Sequence, residues 1–177
     1  MAVLETARTV LRPFRPDDLS GLHELCSQPG VGEAAGWRHH ETLAESQRKL
    51  DGALGDPDMF AIEYREAGRV IGYIQVHADS EEGRADTKEL GFVLHRDYQR
   101  RGFMTEAVPA VLEHLFSGGI ERVYACCFQE NEPSRRLIEG CGFTLEREGT
   151  YEAKSLGRVF PSYEYVYHRR DWHPGRA

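Results

Sequence analysis

The sequence predicts an α/β (α+β) chain: a mixed, mostly antiparallel central sheet of about seven strands with helices on both faces. Three observations lead there. Apolar residues recur at every second position in short runs and at every third or fourth position in longer ones. The order reads strand, two helices, three strands, helix, strand, helix, two strands, so helices intervene between late strands and must cover both sheet faces. The length, 177 residues, suits one domain spanning 1–177.

Each element has its own justification. Thr9-Val10-Leu11-Arg12-Pro13-Phe14 reads as a first strand. Pro16, Asp17 and Asp18 suit a helix start, and Leu19, Leu22, Leu25 and Cys26 follow at helical spacing until Pro29-Gly30 stops the run. Gly30 to His40 is a glycine-rich loop holding Trp37. Glu41 to Leu54 forms a second helix on the sparse stripe Leu43, Leu50 and Leu54. The period then changes. Met59 to Tyr64 and Val70 to Val76 are strands joined by the turn Glu66-Ala67-Gly68-Arg69. Ser80 to Asp86 is a polar loop. Lys88 to Leu94 is a strand with Leu90, Phe92 and Leu94 on one face. Thr105 to Phe116 is a helix with Pro109 in its first turns, ended by Gly118-Gly119. Ile120 to Phe128 is a strand, Pro133 to Glu139 a short helix, and Phe143 to Glu148 with Arg158 to Tyr167 a closing antiparallel pair. The polar tail 168–177 is expected to fray.

Composition narrows the class. Hydrophobic residues are 40% and charged residues 29% of the chain, enough apolar surface to build a core. No apolar run approaches the ~18 residues of a membrane span. Glu5 interrupts the N-terminal stretch, which reads as no secretory signal. A net charge of −7 argues against nucleic acid as a partner. The four cysteines, Cys26, Cys126, Cys127 and Cys141, form no metal or disulfide framework. Free thiols in a reducing, cytoplasmic setting are expected, with no metal. His39-His40 read as surface residues.

The informative segment is Tyr98-Gln99-Arg100-Arg101-Gly102-Phe103-Met104-Thr105. It lies between a strand and a helix. The first amides of a helix lack partners and carry partial positive charge, so this junction can hold an anion such as a pyrophosphate. Gly102 lets the backbone approach a ligand, and Arg100 and Arg101 add charge-assisted contacts. The same residues also describe an ordinary capped helix start with two solvated arginines. A second segment, Asn131-Glu132-Pro133-Ser134 through Gly140-Cys141-Gly142-Phe143, follows the next strand. Asn131 and Ser134 can be plain turn and capping residues. The pairing of the two segments is more specific than either.

Together with the strand Glu89-Leu90-Gly91-Phe92-Val93-Leu94, these segments resemble the GCN5-related N-acetyltransferase (GNAT) superfamily, and within it the Rim-type branch of ribosomal-protein N-terminal acetyltransferases. The resemblance runs from Thr9 to Trp172. Gln99-x-x-Gly102 matches the cofactor loop, while Met104 stands where relatives carry a small residue. The resemblance implies a GNAT fold, acetyl-CoA as cosubstrate, and an amine-bearing acceptor, with a homodimer possible. It implies that Phe92, Val93 and Leu94 line the pantetheine arm and that the amides of Arg100, Arg101, Gly102, Phe103, Met104 and Thr105 hold the pyrophosphate. Asn131 would bind the arm and Ser134 would lie near the thioester sulfur.

Acyl transfer to an amine needs a neutral nucleophile, a stabilised oxyanion and a departing thiolate. An α-amine has a pKa near ~8 and a lysine-type amine near ~10.4, so the second asks more of a base. Glu89, ahead of the pantetheine strand, is the candidate base; a solvated strand-end carboxylate is its plainer reading. Glu146, Glu148 and Glu152 are alternatives. The amide of Val93 is the candidate oxyanion donor, and Ser134 the candidate acid for the thiolate. Trp37, Tyr73, Tyr151 and Tyr163 either line a substrate cleft or pack the core. Gly149-Thr150-Tyr151 and Phe160-Pro161-Ser162-Tyr163 replace an arginine and an aspartate of many Rim-type relatives, so their acceptor need not carry over. The expected activity is N-acetyl transfer to a primary amine, a protein N-terminus or a small molecule. A non-catalytic acyl-CoA sensor or scaffold is the alternative.

Overall fold

A computed structural model describes residues 2–79 and 83–173. Its strands are β1 (Leu4–Glu5), β2 (Thr9–Arg12), β3 (Met59–Tyr64), β4 (Arg69–Ala78), β5 (Thr87–Leu94), β6 (Arg122–Phe128), β7 (Thr144–Ala153) and β8 (Arg158–His168). Its helices are α1 (Leu19–Cys26), α2 (Leu43–Ala53), α3 (Phe103–Ser117) and α4 (Glu132–Gly140). The strands form one 8-stranded sheet in the order β1-β2-β3-β4-β5-β6-β8-β7. Every neighbouring pair is antiparallel except β5 and β6. The parallel pair follows from α3, because a helix between two neighbouring strands returns the chain to the same end of the sheet.

Alternation along the strands divides the core in two. Phe60, Ile62, Ile74, Leu90, Val123, Ala125 and Tyr165 face α3 and α4, against Phe103, Ala107, Val111, Leu112 and Ile138. Met59, Ala61, Tyr73 and Val93 face α1 and α2, against Leu22, Leu25, Cys26, Leu50 and Ala53. Each fully buried large side chain contributes ~1.5–3 kcal/mol relative to exposure. Arg12 is nearly buried on β2, and its guanidinium reaches both oxygens of Asp18 at 2.8 Å and Glu63 at 2.6 Å. That ion cluster ties the first strands to the start of α1.

The sheet has one strand more than the seven expected. The addition is β1, two residues held by pairing Leu4 with Leu11 and Glu5 with Val10. It is too short to show any period. The first strand stops at Arg12, because Pro13 has no N–H to continue the ladder. α3 starts two residues early, at Phe103, which places Pro109 in its second turn. The tail does not fray from 168 onward. Arg169–Asp171 is a 3-10 turn, and Trp172 lies 5.8 Å from the ring of Phe116. Burying an indole against the end of α3 outweighs the polar composition around it. Of the expected loop 80–86 and tail 168–177, residues 80–82 and 174–177 lie outside the described residues.

Candidate active site

The parallel ladder between β5 and β6 is short. It runs from Thr87 opposite Arg122 to Leu90 opposite Ala125 and ends there. Past that point Gly91–Leu94 keep their pairing with β4, and Cys126–Phe128 keep theirs with β8. The two strands therefore diverge and leave a notch whose β5 wall is a free backbone edge. Such an edge can accept an extended ligand as an added strand.

The structure fixes which residues face the notch. Within a strand, the N–H and C=O of one residue point the same way, and neighbouring residues alternate. The Val93 carbonyl lies against Gly72 of β4, where a Cβ would meet it at 2.5 Å. The His95 amide donates to Ile71 of β4 at 2.8 Å. Odd positions thus point to β4 and even ones to the notch. Consistently, Leu94 turns its carbonyl away from β4, where Gln99 Nε2 donates to it at 2.9 Å. The amide open to the notch is that of Phe92, not that of Val93 as the sequence led us to expect. The Val93 side chain is buried among α1 and α2, while Phe92 packs on the α3 side.

Past Leu94 the chain turns through a 3-10 segment, Arg96–Tyr98, into the glycine loop. Arg100 has φ 60 and is the only non-glycine with positive φ among the described residues; Gly102 follows at φ 80. These two left-handed residues turn the backbone into α3, whose first helical bond runs from the Glu106 amide to the Gly102 carbonyl at 3.2 Å. The amides of Phe103, Met104 and Thr105 are left for a ligand. Phe103 and Met104 are buried, so their side chains belong to the core and only their backbones can serve an anion. This explains how Met104 is accommodated where a small residue is usual. Arg8 keeps the acid of the first turn away from the site. Its Nε donates to Glu106 at 2.6 Å and its Nη2 to the Arg101 carbonyl at 2.8 Å. Arg8 and Arg101 both lie over the Phe103 ring. The loop therefore presents guanidinium groups and partner-free amides together, which fits a diphosphate.

Asn131 and Ser134 stand at the start of α4. Asn131 Oδ1 accepts the Ser134 amide at 3.2 Å, and Asn131 Nδ2 donates to the Ala34 carbonyl at 3.1 Å. The Asn131 side chain thus caps α4 and ties it to the α1–α2 connection. Ser134 lies one turn before Ile138, on the sheet-facing side of α4 and on the α3/α4 face of the notch.

The opposite face carries carboxylates. Glu89 aligns with His77 on β4 and with Tyr124 on β6, one residue before the ladder ends. Its charge reaches Cys126 and Tyr151. Burial first, then Glu164 and more weakly Glu89, holds the Cys126 thiol well above its ordinary pKa. Burial, Cys126 and Glu89 also raise Tyr151. Glu164, which the sequence reading did not single out, shares this face, in register with Cys126. Its Oε1 accepts from Ser162 Oγ at 2.8 Å and from Cys126 Sγ at 3.4 Å. Gly149 leaves it room, since a Cβ there would lie 3.2 Å from the same oxygen. Of the other acids considered, Glu148 is paired opposite Tyr163 and Glu152 opposite Val159, positions on the α3/α4 face, and Glu146 lies at a register shift.

Beyond Glu164 the face becomes aromatic. Phe128 and Phe160 stack at 4.3 Å, and Tyr151 lies 5.7 Å from Phe128. They adjoin a cavity of about 610 Å³ bordered by Glu33, Ala34, Asn131, Leu156 and Arg158. The α1–α2 connection closes one side, latched by Asn131 and by Ser155 Oγ, which donates to the Gly36 carbonyl at 3.2 Å. Trp37 and Tyr73 instead meet Lys49, whose Nζ lies 5.5 and 4.7 Å from their rings. Tyr163 packs beside Tyr165 and under Arg135 on the other face. All four cysteines are free. Burial raises Cys26 to about 12 and Cys127 and Cys141 to about 11, so they stay protonated thiols. His39 pairs with Glu33 and His40 with Ser46. Among the described residues no group of three or more His, Cys, Asp or Glu is placed to hold a metal, and no helix is long and apolar enough to cross a membrane.

Comparison with known proteins agrees with this architecture. Residues 8–144 match the family model described as an acetyltransferase (GNAT) domain, and the chain belongs to that family of acetyltransferase enzymes. It is 29% identical over 150 residues to the uncharacterized N-acetyltransferase YoaA of Bacillus subtilis, covering 81% of this chain and 84% of that one. The fold is shared with a GNAT-family acetyltransferase from Bacillus anthracis at a TM-score of 0.86 and 22% identity, covering 96% of this chain and 100% of that one. A putative ribosomal-protein-serine acetyltransferase from Vibrio cholerae has a TM-score of 0.77 at 19% identity, covering 94% and 97%. Spermidine N-acetyltransferase from Vibrio cholerae, solved with CoA and spermine, has a TM-score of 0.76 at 18% identity, covering 93% and 97%. The same fold thus accompanies quite different acceptors, so the fold alone does not name one.

Proposed function

We propose that this chain transfers an acetyl group from acetyl-CoA to a primary amine by direct attack on the thioester. The observation that carries the reading is the β5–β6 ladder ending at Leu90 and Ala125, one strand length from the glycine loop at the N-terminus of α3. The pyrophosphate fits the amides of Arg100 to Thr105, and the pantetheine arm fits the free edge at Phe92. The thioester carbonyl then lies where the ladder ends.

The chemistry follows from the two faces. The amine approaches from the α1/α2 side, where negative charge favours a cation and a carboxylate can take its proton. Glu89 is the acid on that side nominated by sequence. The nitrogen lone pair forms the C–N bond, and the amide of Phe92 donates to the developing oxyanion. Collapse breaks the C–S bond. A thiol with pKa near ~8.5 is a fair leaving group, so proton donation from Ser134 assists rather than decides. Binding of acetyl-CoA measured by calorimetry, and amine-dependent thiol release with spermidine, tyramine and a peptide with a free N-terminal serine, test the reading. Tight binding without release from any of them would leave a sensor or scaffold role instead.

A further inference from the structure

We infer that Glu164 takes the proton that the acceptor amine gives up, while Glu89 assists through its charge; the inference rests on the acetyl-transfer reading above. The ladder between β5 and β6 ends at Leu90 and Ala125. Glu89 lies before that end, inside the paired sheet. Cys126 is the first β6 residue beyond it, and Glu164 is its partner on β8. Glu164 therefore flanks the open stretch where the carbonyl must lie. Two glycines shape this stretch. Gly91, the first β5 residue past the β6 ladder, adds no side chain to a face where the His77 imidazole already lies close, 3.2 Å from where its Cβ would be, and Gly149 leaves space beside the Glu164 carboxylate.

The carboxylate is also held ready. Ser162 and Cys126 both donate to Oε1, so the group is oriented while Oε2 keeps its lone pairs for a ligand. Both donors are neutral; the Cys126 thiol stays protonated because burial and Glu164 itself disfavour a thiolate. The other titratable or charged groups on this face include Glu89 of β5, Tyr124 of β6, Arg147 and Tyr151 of β7, Arg158 of β8, Tyr73 and His77 of β4, and Lys49 of α2, whose charge reaches His77. In the reaction the ammonium proton passes to Oε2, the C–N bond forms and the C–S bond breaks. The nitrogen of the adduct loses its second proton, the departing thiolate takes one up, and Glu164 returns its own to solvent. The sum is ammonium plus acetyl-CoA giving amide, CoA thiol and one proton.

Glu164→Gln tests this in the full-length protein. Glutamine keeps an oxygen for Ser162 and Cys126, so the fold is expected to survive, which the melting temperature checks. With whichever of spermidine, tyramine or the N-terminal-serine peptide the wild type acetylates fastest, kcat should fall about a hundredfold. The acidic limb of the pH–rate profile should disappear, and acetyl-CoA affinity should stay within about twofold. Glu164→Asp, which keeps a proton acceptor, should recover part of the rate. Glu89→Gln should lose less than Glu164→Gln. Wild-type kcat and pH profile in Glu164→Gln, or a larger loss in Glu89→Gln, overturn the inference and leave the acetyl-transfer reading intact. No release from any of the three amines in the wild type overturns that reading, and the inference with it.

Discussion

Gly102 offers a perturbation whose effects on folding and on binding run in opposite directions. It sits at φ 80 as the N-cap of α3. An L-residue held in that region costs ~1–2 kcal/mol. A Cβ there would lie 3.2 Å from Arg8 Nη2, and Arg8 can yield little because it is bonded to Glu106 and to the Arg101 carbonyl. Gly102→Ala should therefore lower stability by ~1–2 kcal/mol, with a modest effect on acetyl-CoA affinity. Gly102→Glu carries the same strain but places an acid at a helix N-terminus, which returns ~0.3–1 kcal/mol to the free protein. That charge then faces the diphosphate. With two like charges ~6 Å away and an effective dielectric near ~40, repulsion is about 3 kcal/mol, roughly a hundredfold in Kd. Melting temperature should rank glycine, glutamate, alanine, while affinity ranks glycine, alanine, glutamate. Calorimetry should find the glutamate penalty shrinking as salt rises. A folded Gly102→Glu protein with wild-type acetyl-CoA affinity refutes the placement of the diphosphate on this loop.

Two other sites give sharp expectations. Asn131→Ala removes both the α4 cap and the bond to Ala34 and should cost ~1 kcal/mol in a denaturant titration. It should also make the α1–α2 connection more susceptible to protease, and an unchanged cleavage rate would show that the latch is idle. In that connection, burial tends to raise Glu33, but hydrogen bonds from the His39 side chain and from the His39 and Gly30 amides bring it down to about 2. A carboxylate whose pKa is lower folded than unfolded stabilises above the unfolded value and loses that contribution as pH falls through the folded one. Protection from hydrogen exchange in residues 30–39, taken relative to intrinsic rates, should accordingly fall between pH ~4.5 and about 2, and Glu33→Gln should lower it already at neutral pH.

The parts of this molecule legible in sequence are those decided locally. α3 announces itself because Ala107, Val108, Val111, Leu112 and Leu115 mark one face over three turns, and the glycine loop because a strand, a glycine and a helix start occur in succession. Asn131 as a cap is likewise a local matter. What escaped depends on pairing between distant segments. β1 exists only because β2 lies beside it. Trp172 is anchored by Phe116, 56 residues earlier in a count no periodicity registers. Glu164 gains its meaning from Cys126, 38 residues away, through the register of β6 on β8. The exchange of Phe92 for Val93 as the open amide has the same origin. A strand's side-chain alternation is visible in sequence, but which backbone edge faces the gap depends on how β5 pairs with β4.

The sheet itself separates the two proton transfers. Glu89 and Glu164 lie on the α1/α2 face and Ser134 on the α3/α4 face, so the carboxylates that collect the amine's proton are screened from the thiolate that forms. The separation matters because a carboxylate ~4 Å from a thiolate, at an effective dielectric near ~20, would oppose C–S cleavage by about 4 kcal/mol. Ser134→Glu puts this to the test without disturbing the fold. Residue 134 is the third of α4 after its Asn131 cap, in the first turn, where the helix dipole favours an acid. The variant should be as stable as the wild type and still bind CoA, yet its acetyl transfer should slow by up to about a thousandfold, with the loss in kcat and not in the acceptor KM. Salt should restore part of the rate. If Ser134→Glu turns over at the wild-type rate, the departing sulfur does not pass by α4, and the division of the reaction between the two faces of the sheet is wrong.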